Sequence, residues 1–430
     1  MLDIKFIREN PKLVKDNLKK KFQTSKSSLV DKLIKKDEDW RKYKQQADSL
    51  RAKRNKLSLE INQAQKAGKN ITPLVKEVKS LPGKISDLEQ KTTTLHKDIN
   101  QLLLQIPNLI HKSVPIGKSE KENVIRQTIG TKPKFDFEVK NHAQLGEELN
   151  VLDFDSSASI SGNGFYFLKG KLALLNQALI NYSREFMVKK GYEYVEPPLM
   201  IKKNILSGVF SNEEIEQMSY KIQDEDLYLI ATSEHPLIGM FINKTLKEED
   251  LPIKITGYSM CFRKEIGSHG LDEKGLFRTH QFNKQEMIVL CHPKDSYKYY
   301  KELLDLSKHL FKGLKIPIRE LECCSGDLPD LKAKSADLEA YSPRQKKYFE
   351  ITSVTNMESA QARRLNIKFV DKKGNKDFVH TLNNTAIATS RALVAIMENY
   401  QTKQGEIKIP TALQKYCGFK KIDKAELKSF

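Results

Sequence analysis

Two heptad series near the N-terminus limit what this 430-residue chain can fold into. Apolar residues recur at alternating steps of three and four, with Arg54 as the polar exception. The first series comprises Trp40, Tyr43, Ala47, Leu50, Leu57, Ile61 and Ala64, and the second Leu74, Val78, Leu81, Ile85, Leu88, Thr92, Leu95, Ile99, Leu102 and Ile106. With turn residues Gly68-Lys69-Asn70 between them, they predict an antiparallel helical hairpin with a coiled-coil seam over about residues 28–106. Because helices of about 35 residues are about 50 Å long, we expect the hairpin to project as an arm.

The positive charge of the chain is concentrated in the same region. Residues 1–100 contain 25 Lys and Arg against 13 Asp and Glu, which gives +12 of the total +19. Such a field favours a polyanionic partner, because neutralising phosphates releases counterions. A solvated lysine-rich surface and a dimerisation rod are the alternatives. Because Lys66, Lys69, Lys76 and Lys79 cluster near the turn, we favour an arm that binds RNA by its shape and backbone.

Length and composition exclude several classes of protein. The chain exceeds one ordinary core, so we expect two domains, residues 1–110 and 111–430. No run approaches ~20 apolar residues, so no membrane span is predicted, and the N-terminus lacks the apolar core of a signal peptide. The five cysteines show no zinc-type spacing, which favours reduced thiols in a cytoplasmic protein. Neither GxGxxG nor GxxxxGKS/T occurs, so neither common phosphate loop explains nucleotide binding.

The second domain is expected to be α+β. Strand and helix signals alternate without a βαβ rhythm, which favours an antiparallel sheet flanked by helices. Helices are predicted over residues 171–190 and 294–313, and a last helix over residues 384–400. Residues 191–200 form an extended segment that ends in Pro197 and Pro198. Prolines exclude a central position in a sheet, so this segment is predicted to be an edge or interface strand.

Residues 261–290 predict an antiparallel hairpin of two strands joined by a long loop. Arg263 and Arg278 could hold phosphate through planar, permanently charged groups. Phe282 could stack on a base, and Glu286 could hold an ammonium or hydroxyl group. From these residues alone, an ordinary surface hairpin is an equal alternative. The loop is expected to be mobile and to order when a ligand binds. Its glycines are Gly267, Gly270 and Gly275.

Several segments, in order, resemble the seryl-tRNA synthetases, a family of class II aminoacyl-tRNA synthetases. Residues 191–200, 262–286 and 383–391 resemble the three motifs of that class, with Pro198 in the first and Arg391 in the third. The start MLDIKFIREN is also similar, as are RNKLS (54–58), IPNL (106–109), TSE (232–234), SGDL (325–328), DLE (337–339) and QARR (361–364). The resemblance extends from Met1 to about Lys421, and this set of motifs in this order is specific.

The resemblance implies a class II catalytic domain at residues 111–430, preceded by a tRNA-binding domain at residues 1–110. It implies a ligase that activates L-serine with ATP to seryl-adenylate, with Mg²⁺ accompanying the ATP, and then transfers serine to tRNA(Ser). Whether tRNA(Sec) is a second substrate stays open. The resemblance also implies a homodimer whose interface includes Pro198.

The resemblance assigns one set of residues to ATP. These are Arg263, Lys264, Glu265, Arg278, Thr279, Phe282, Glu350, Ile351, Thr352, Ser353 and Arg391. Arg263 would bind both the α-phosphate and the serine carboxylate, while Glu265 and Phe282 would bind the adenine. The other two arginines would hold the outer phosphates. Glu350 and Ser353 would hold Mg²⁺, which prefers hard oxygen ligands.

A second set is assigned to serine. It consists of Thr232, Ser233, Glu234, Arg263, Glu286, Asn383 and Thr385. Glu286 and Thr385 would test for the serine hydroxyl, since a site that hydrogen-bonds a hydroxyl rejects analogues lacking it. On the residues alone, Glu286 could instead pair with Lys284 across the surface, and Thr385 could be a helix cap.

Two other functions compete with this interpretation. An inactive paralogue that only holds tRNA would be expected to lose an ATP or serine contact, yet Arg263, Glu286, Glu350 and Arg391 are all present. A synthetase-like ligase that charges a carrier protein would lack a long arm, which residues 33–106 argue against.

Overall fold

A computed structural model describes residues 1–265 and 275–424. The chain divides into two compact units, Met1–Pro107 and Asn108–Phe430. Across the described residues, no helix combines the length and the apolarity needed to cross a bilayer. The predicted mobile loop, with Gly267 and Gly270, lies outside the described residues.

The first unit is helical. Its helices are α1 (Ile4–Glu9), α2 (Pro11–Lys20), α3 (Ser27–Lys66) and α4 (Thr72–Gln105). The two long helices, here called the arm, are antiparallel and are joined at Gly68, whose φ of +65° favours glycine. Their seam is as predicted, because Leu57, Leu81 and Ile85 are buried and every apolar member of both series is at least partly buried. The helical hairpin is confirmed.

Ion pairs link the two helices outside the seam. Arg51 Nη2 lies 2.6 Å from Glu89 Oε1, and Lys36 Nζ lies 2.6 Å from Asp98 Oδ2. These side chains are 37–47% exposed, so each pair contributes at most about 1 kcal/mol. Burial of the apolar seam therefore dominates the stability of the arm.

The second unit is built on a mostly antiparallel sheet, as predicted. In spatial order its strands are β1 (Val124–Ile129), β10 (Ile318–Glu322), β11 (Lys334–Ser342), β12 (Lys347–Asn356), β15 (His380–Ala388), β9 (Gln281–Cys291), β8 (Ile253–Phe262) and β4 (Glu193–Val195). The shorter strands are β2 (Leu152–Asp153), β3 (Phe167–Leu168), β5 (Met200–Lys202), β6 (Leu227–Leu229), β7 (Thr245–Lys247), β13 (Lys368–Val370), β14 (Lys376–Phe378), β16 (Ile407–Lys408) and β17 (Lys421–Ile422). β4 pairs in parallel with β8 at the sheet edge, where the proline-ended segment was predicted to lie.

Helices cover both faces of this sheet. They are α5 (His142–Glu148), α6 (Asp155–Ser161), α7 (Gly170–Lys189), α8 (Lys203–Val209), α9 (Asn212–Met218), α10 (Glu234–Gly239), α11 (Ser296–Gly313), α12 (Ala360–Leu365), α13 (Thr389–Asn399) and α14 (Thr411–Cys417). Met287 and Val289 of β9 enter a large core with α7, α11 and α13. Ile288 and Leu290 point the other way, into a smaller core with α8, α10 and α12. Since side chains alternate along a strand, Phe282, Lys284 and Glu286 share the face of the smaller core.

The helix predicted over residues 384–400 is wrong at its start. Residues 384–388 belong to β15, and α13 begins only at Thr389. β15 is buried on both faces, so its sequence lacks the polar alternation of a half-exposed strand. That helix is also not the last one, because α14 follows it.

The predicted antiparallel hairpin over residues 261–290 is confirmed, but its first strand lies mostly before residue 261, because β8 ends at Phe262. β8 and β9 pair antiparallel from Ile253 with Leu290 to Phe262 with Gln281. This register places Gly257 opposite Glu286, and Cys261 opposite Phe282.

Candidate active site

A pocket opens on the face of the sheet that carries the smaller core. It contains about 560 Å³ of space free of protein atoms, partly open to solvent. Its lining residues come from β8, β9, β12, β15, α13 and the segments beside them. They are Arg263, Glu265, Phe277, Arg278, Thr279, Phe282, Lys284, Glu350, Ile351, Thr352, Thr385, Ala388, Ser390 and Arg391. Four strands and one helix start therefore bring together residues up to 128 positions apart.

Glu286 follows Phe282 and Lys284 on the same face of β9. Thr385 is its cross-strand neighbour, and the Thr385 hydroxyl donates to Glu286 Oε2 at 3.2 Å. Lys284 Nζ lies 3.3 Å from Glu286 Oε1 and 3.2 Å from Oε2. Both side chains are less than a tenth exposed, so the ion pair is buried and each charge depends on its partner. Glu286 does pair with Lys284, but the pair is buried rather than on the surface, and Lys284 and Thr385, the two partners of Glu286, line the pocket.

Two β-bulges determine which side chains face the pocket. In the β11–β12 ladder, Leu338 pairs with Thr352 but Glu339 pairs with Glu350, which leaves Ile351 unpaired. Without this bulge, Glu350 and Ser353 would point to opposite faces, because they are three residues apart. A second irregularity between Thr385 and Ile387 similarly brings Ala388 onto the face of Thr385.

Three guanidinium groups surround the wider part of the pocket. Arg263 lies with its Cζ 5.2 Å from the centre of the Phe282 ring, and its Nε donates to the Ala231 carbonyl oxygen at 3.3 Å. Arg391 Nη1 donates to Glu350 Oε2 at 3.0 Å. Arg278 Nη1 donates to Glu265 Oε2 at 3.1 Å.

These guanidinium groups form a site for a polyanion. The buried Arg278 Nε finds no hydrogen-bond partner among the described residues. A buried polar group without a partner is costly, and an anionic ligand would supply one.

Glu350 keeps a negative charge at the edge of this cationic region. Burial opposes its ionisation, but Arg391, Lys332 and Arg263 together hold the pKa of Glu350 below its ordinary value. Burial and the charge of Glu350 raise the pKa of the neighbouring Asp337 to about 7. Glu350 is therefore the carboxylate that remains ionised and able to hold a cation.

A second carboxylate, Glu234, lies at the start of α10. It is buried, and its Oε1 accepts hydrogen bonds from Asn383 Nδ2 at 3.0 Å and from Gln361 Nε2 at 2.9 Å. Burial and the charge of Glu286 raise the pKa of Glu234 to about 7. Two electrostatically coupled carboxylates suit a small ligand that carries an amino group and a hydroxyl group.

The predicted ATP and serine residues that do not line the pocket itself are Thr232, Ser233, Glu234, Lys264, Glu286, Ser353 and Asn383. Thr232 Oγ1 accepts from the Glu234 backbone N–H at 3.2 Å, and the fully buried Ser233 donates to the Gly257 carbonyl oxygen at 3.0 Å. The Lys264 backbone N–H donates to the Met218 carbonyl oxygen at 3.0 Å. Ser353 Oγ lies 3.4 Å from Ser335 Oγ.

The structure adds pocket residues that the sequence prediction missed. They are Phe277, Lys284, Ala388 and Ser390. Lys284 could have been predicted as a pocket residue, because Phe282, Lys284 and Glu286 are two residues apart and therefore share one face of the strand. Phe277 supports Arg391, whose Cζ lies 5.2 Å from its ring centre. Gln361 was noted only as part of a motif and had no assigned role.

Comparisons with known proteins agree with the fold. Residues 1–110 match the family model of the seryl-tRNA synthetase N-terminal domain, and residues 218–400 match that of the tRNA synthetase class II core domain (G, H, P, S and T). A serine--tRNA ligase of Methanospirillum hungatei is 44% identical over 424 residues, covering 98% of this chain and all of that protein.

Two solved structures are also similar over almost the whole chain. The crystal structure of seryl-tRNA synthetase from Pyrococcus horikoshii complexed with ATP has a TM-score of 0.94 at 40% identity, covering 99% of this chain and 100% of that one. A cytoplasmic serine-tRNA ligase from Naegleria fowleri in complex with AMP has a TM-score of 0.88 at 34% identity, covering 99% of each chain. With both family models matched in order and the full length aligned, the chain belongs to the seryl-tRNA synthetase family of class II aminoacyl-tRNA synthetases.

Proposed function

We infer that the chain is a ligase that activates L-serine with ATP and transfers the seryl group to tRNA. The observation that carries this inference is one continuous pocket, in which a cluster of three arginines adjoins the buried Glu286–Thr385 pair. The arginine cluster suits a triphosphate, and the carboxylate–hydroxyl pair suits a small hydroxylated amino acid. Family membership over the full length supports the same activity.

Activation joins a serine carboxylate oxygen to the α-phosphorus and breaks the bond from that phosphorus to pyrophosphate. The carboxylate is already a nucleophile, so the step needs no general base and depends on positioning and charge neutralisation. Arg263 binds the α-phosphate and the serine carboxylate together. Phe282 stacks on the adenine ring, and Glu265 accepts from its amino group. Electrostatic stabilisation of this kind is usually the largest catalytic contribution.

The remaining members of the proposed ATP set support the triphosphate. Arg278 and Arg391 hold its outer phosphates. Of the other members, Thr279, Ile351 and Thr352 line the pocket around the nucleotide, and Lys264 anchors the segment after β8 through its backbone bond to Met218.

The donor set fits Mg²⁺ bound with the nucleotide. Glu350 and Ser353 offer a carboxylate and a hydroxyl on one face of β12, and Glu350 is held in its ionised form. Mg²⁺ is usually held by one or two carboxylates together with substrate phosphates. Glu350 and Ser353 would hold the ion, which would neutralise charge on the phosphate oxygens when bound.

Besides the carboxylate bound by Arg263, serine is recognised at its hydroxyl and its ammonium group. Glu286 and Thr385 bind the side-chain hydroxyl, so alanine and glycine leave buried polar groups unpaired. Glu234 binds the ammonium group of serine. Thr232 accepts a hydrogen bond from the Glu234 backbone N–H, and Asn383 donates to the Glu234 carboxylate. Ser233 anchors this segment to β8 through Gly257.

Holding the tRNA for the transfer step is the task of the first domain. We assign residues 1–110, with the arm at about 28–106, to tRNA binding, and residues 111–430 to catalysis. The charge of +12 in residues 1–100 supports tRNA(Ser) as the partner, and tRNA(Sec) is a second candidate.

A cytoplasmic homodimer is the proposed assembly. Pro198 is exposed and precedes Leu199 and Met200, which are 40% and 46% exposed. An exposed apolar run beside an edge strand suits a subunit interface. The inactive-paralogue alternative has no support, because Arg263, Glu350 and Arg391 line the pocket and Glu286 is bonded to its lining residues Lys284 and Thr385.

Deleting the arm should separate serine activation from tRNA charging. A chain without residues 33–105, joined by a short linker, should retain serine-dependent pyrophosphate exchange within about threefold, since the pocket lies in the second unit. Charging of tRNA with radiolabelled serine should fall by at least about 10³-fold, because the deletion removes the arm itself and +7 of the +12 carried by residues 1–100. Loss of exchange in a folded deletion variant would show that the arm is structural to the catalytic unit, and retained charging would refute its role in tRNA binding.

A further inference from the structure

The two carboxylates of the serine pocket have partners of different charge. Glu286 is held by the Lys284 ammonium group, at 3.2 and 3.3 Å, and by the Thr385 hydroxyl. Glu234 instead accepts from two neutral amides, those of Asn383 and Gln361. A cationic partner cancels most of the negative charge of a carboxylate, whereas an amide orients the carboxylate and leaves its charge in place.

Gln361 is held in one orientation by a residue behind it. The Thr381 hydroxyl donates to Gln361 Oε1 at 2.7 Å, and both side chains are fully buried. An ionised carboxylate only accepts hydrogen bonds, so the Gln361 nitrogen must face Glu234 and its oxygen must face Thr381. These hydrogen bonds therefore run in one direction, from the Thr381 hydroxyl through the Gln361 amide to the Glu234 carboxylate.

We propose that Gln361, oriented by Thr381, is a positioning residue that fixes the Glu234 carboxylate without cancelling its charge, and so commits it to the substrate ammonium group. Lys284 has the opposite effect on Glu286, which is left to bind the uncharged hydroxyl. Because Glu234 has amide partners and Glu286 has an ammonium partner, these two chemically identical side chains bind different groups of the substrate. The proposal rests on the proposed function, because it assumes that serine occupies this pocket.

The charges around Glu234 determine the direction of the expected pH effect. Burial and Glu286 raise its pKa to about 7, while the Gln361 hydrogen bond and then Lys284 and Lys332 act to lower it. Removing the Gln361 donor should therefore raise the pKa further. Glu234 would then be protonated at neutral pH, and its attraction for an ammonium group would be lost. Raising the pH should restore that attraction.

The test is the pH dependence of serine activation by a Gln361→Met variant. Loss of one hydrogen bond to a charged group should raise the KM for serine about tenfold near pH 7. By about pH 8.5 the KM should return to within about twofold of the unaltered chain, because Glu234 is ionised again. The KM for ATP should not change. Inhibition by 3-hydroxypropionate, which is serine without its ammonium group, should also be unchanged.

Control variants separate positioning from mere packing. Gln285→Met removes another fully buried glutamine that donates to a threonine hydroxyl, but on the opposite face of β9, and should leave the serine pH profile unaltered. Thr381→Val should shift the profile in the same direction as Gln361→Met, and Thr381→Ser, which keeps the hydroxyl, should not. This pair tests the role of the Thr381 hydrogen bond even if Gln361→Met fails to fold.

Two results would overturn the inference. One is a Gln361→Met or Thr381→Val enzyme with the serine pH profile of the unaltered chain. The other is an increase in KM that persists at high pH and affects 3-hydroxypropionate equally. In both cases serine-dependent exchange by the unaltered chain would leave the proposed function standing, so the two failures are distinguishable.

Discussion

Arg263→Ala should lower kcat/KM for serine-dependent pyrophosphate exchange by about 10³-fold, the largest effect expected of any single substitution in the pocket. Arg263 is oriented before any ligand binds, because its Nε donates to the Ala231 carbonyl oxygen and its planar group lies against Phe282. A preoriented charge stabilises the developing negative charge of the transition state without reorganisation. Arg263→Lys should recover only part of the loss, since an ammonium group lacks the planar fork that can hold phosphate and carboxylate together.

A matched control for this substitution is available elsewhere in the sheet. Arg319 also lies against an aromatic ring, with its Cζ 4.6 Å from the centre of Tyr348, but it does not line the pocket. Arg319→Ala should leave exchange within about threefold of the unaltered chain, because it removes a comparable stacking contact, together with an ion pair to Glu339, away from the pocket lining. Exchange by Arg263→Ala at more than about a tenth of the normal rate would refute the assignment of Arg263 to the reacting groups.

Glu286→Gln should have the second largest effect, and it should act on both activity and stability. The variant should lose about 10³-fold in kcat/KM for serine, because its amide cannot replace the carboxylate as acceptor for both Thr385 and the substrate hydroxyl. It also leaves the buried Lys284 charge without a counter-ion, which should cost about 3 kcal/mol of folding free energy.

A double variant separates these two effects. Adding Lys284→Met to Glu286→Gln removes the unpaired charge and should recover most of the stability in urea unfolding, while activity with serine stays low. If the double variant regained activity with serine, the loss of activity in Glu286→Gln would be due to the unpaired charge of Lys284. A single variant with full activity would contradict the hydroxyl-binding role.

The hairpin and its arginines could be predicted from local sequence alone. The residues of 261–290 predicted the antiparallel pairing, and the structure places Phe282, Lys284 and Glu286 on one face of β9. The arm could also be predicted from local sequence, because the apolar residues of a coiled-coil seam repeat with a fixed period. Motif resemblance contributed the residues on β12 and β15, which no local pattern assigns.

Features that depend on distant contacts could not be read from the sequence. The bulge at Ile351 follows from the register of β11 against β12, and only that register places Glu350 and Ser353 on one face. Gln361 reaches Glu234 across 127 residues, and no spacing rule links them. The start of α13 was missed for a related reason, because β15 is buried on both sides and its apolar residues fit a helix as well as a strand.

The most direct test of the central claim is amino-acid-dependent ATP–pyrophosphate exchange by the purified chain. Serine, threonine, alanine and glycine should be compared at equal concentration with ATP and Mg²⁺. Serine should support exchange, and alanine and glycine should be at least about 10³-fold less effective in kcat/KM, because they leave Glu286 and Thr385 unpaired. Threonine should also be poorer, since its extra methyl group must fit a closely packed site. Absence of serine-dependent exchange, or exchange with alanine equal to that with serine, would contradict the account.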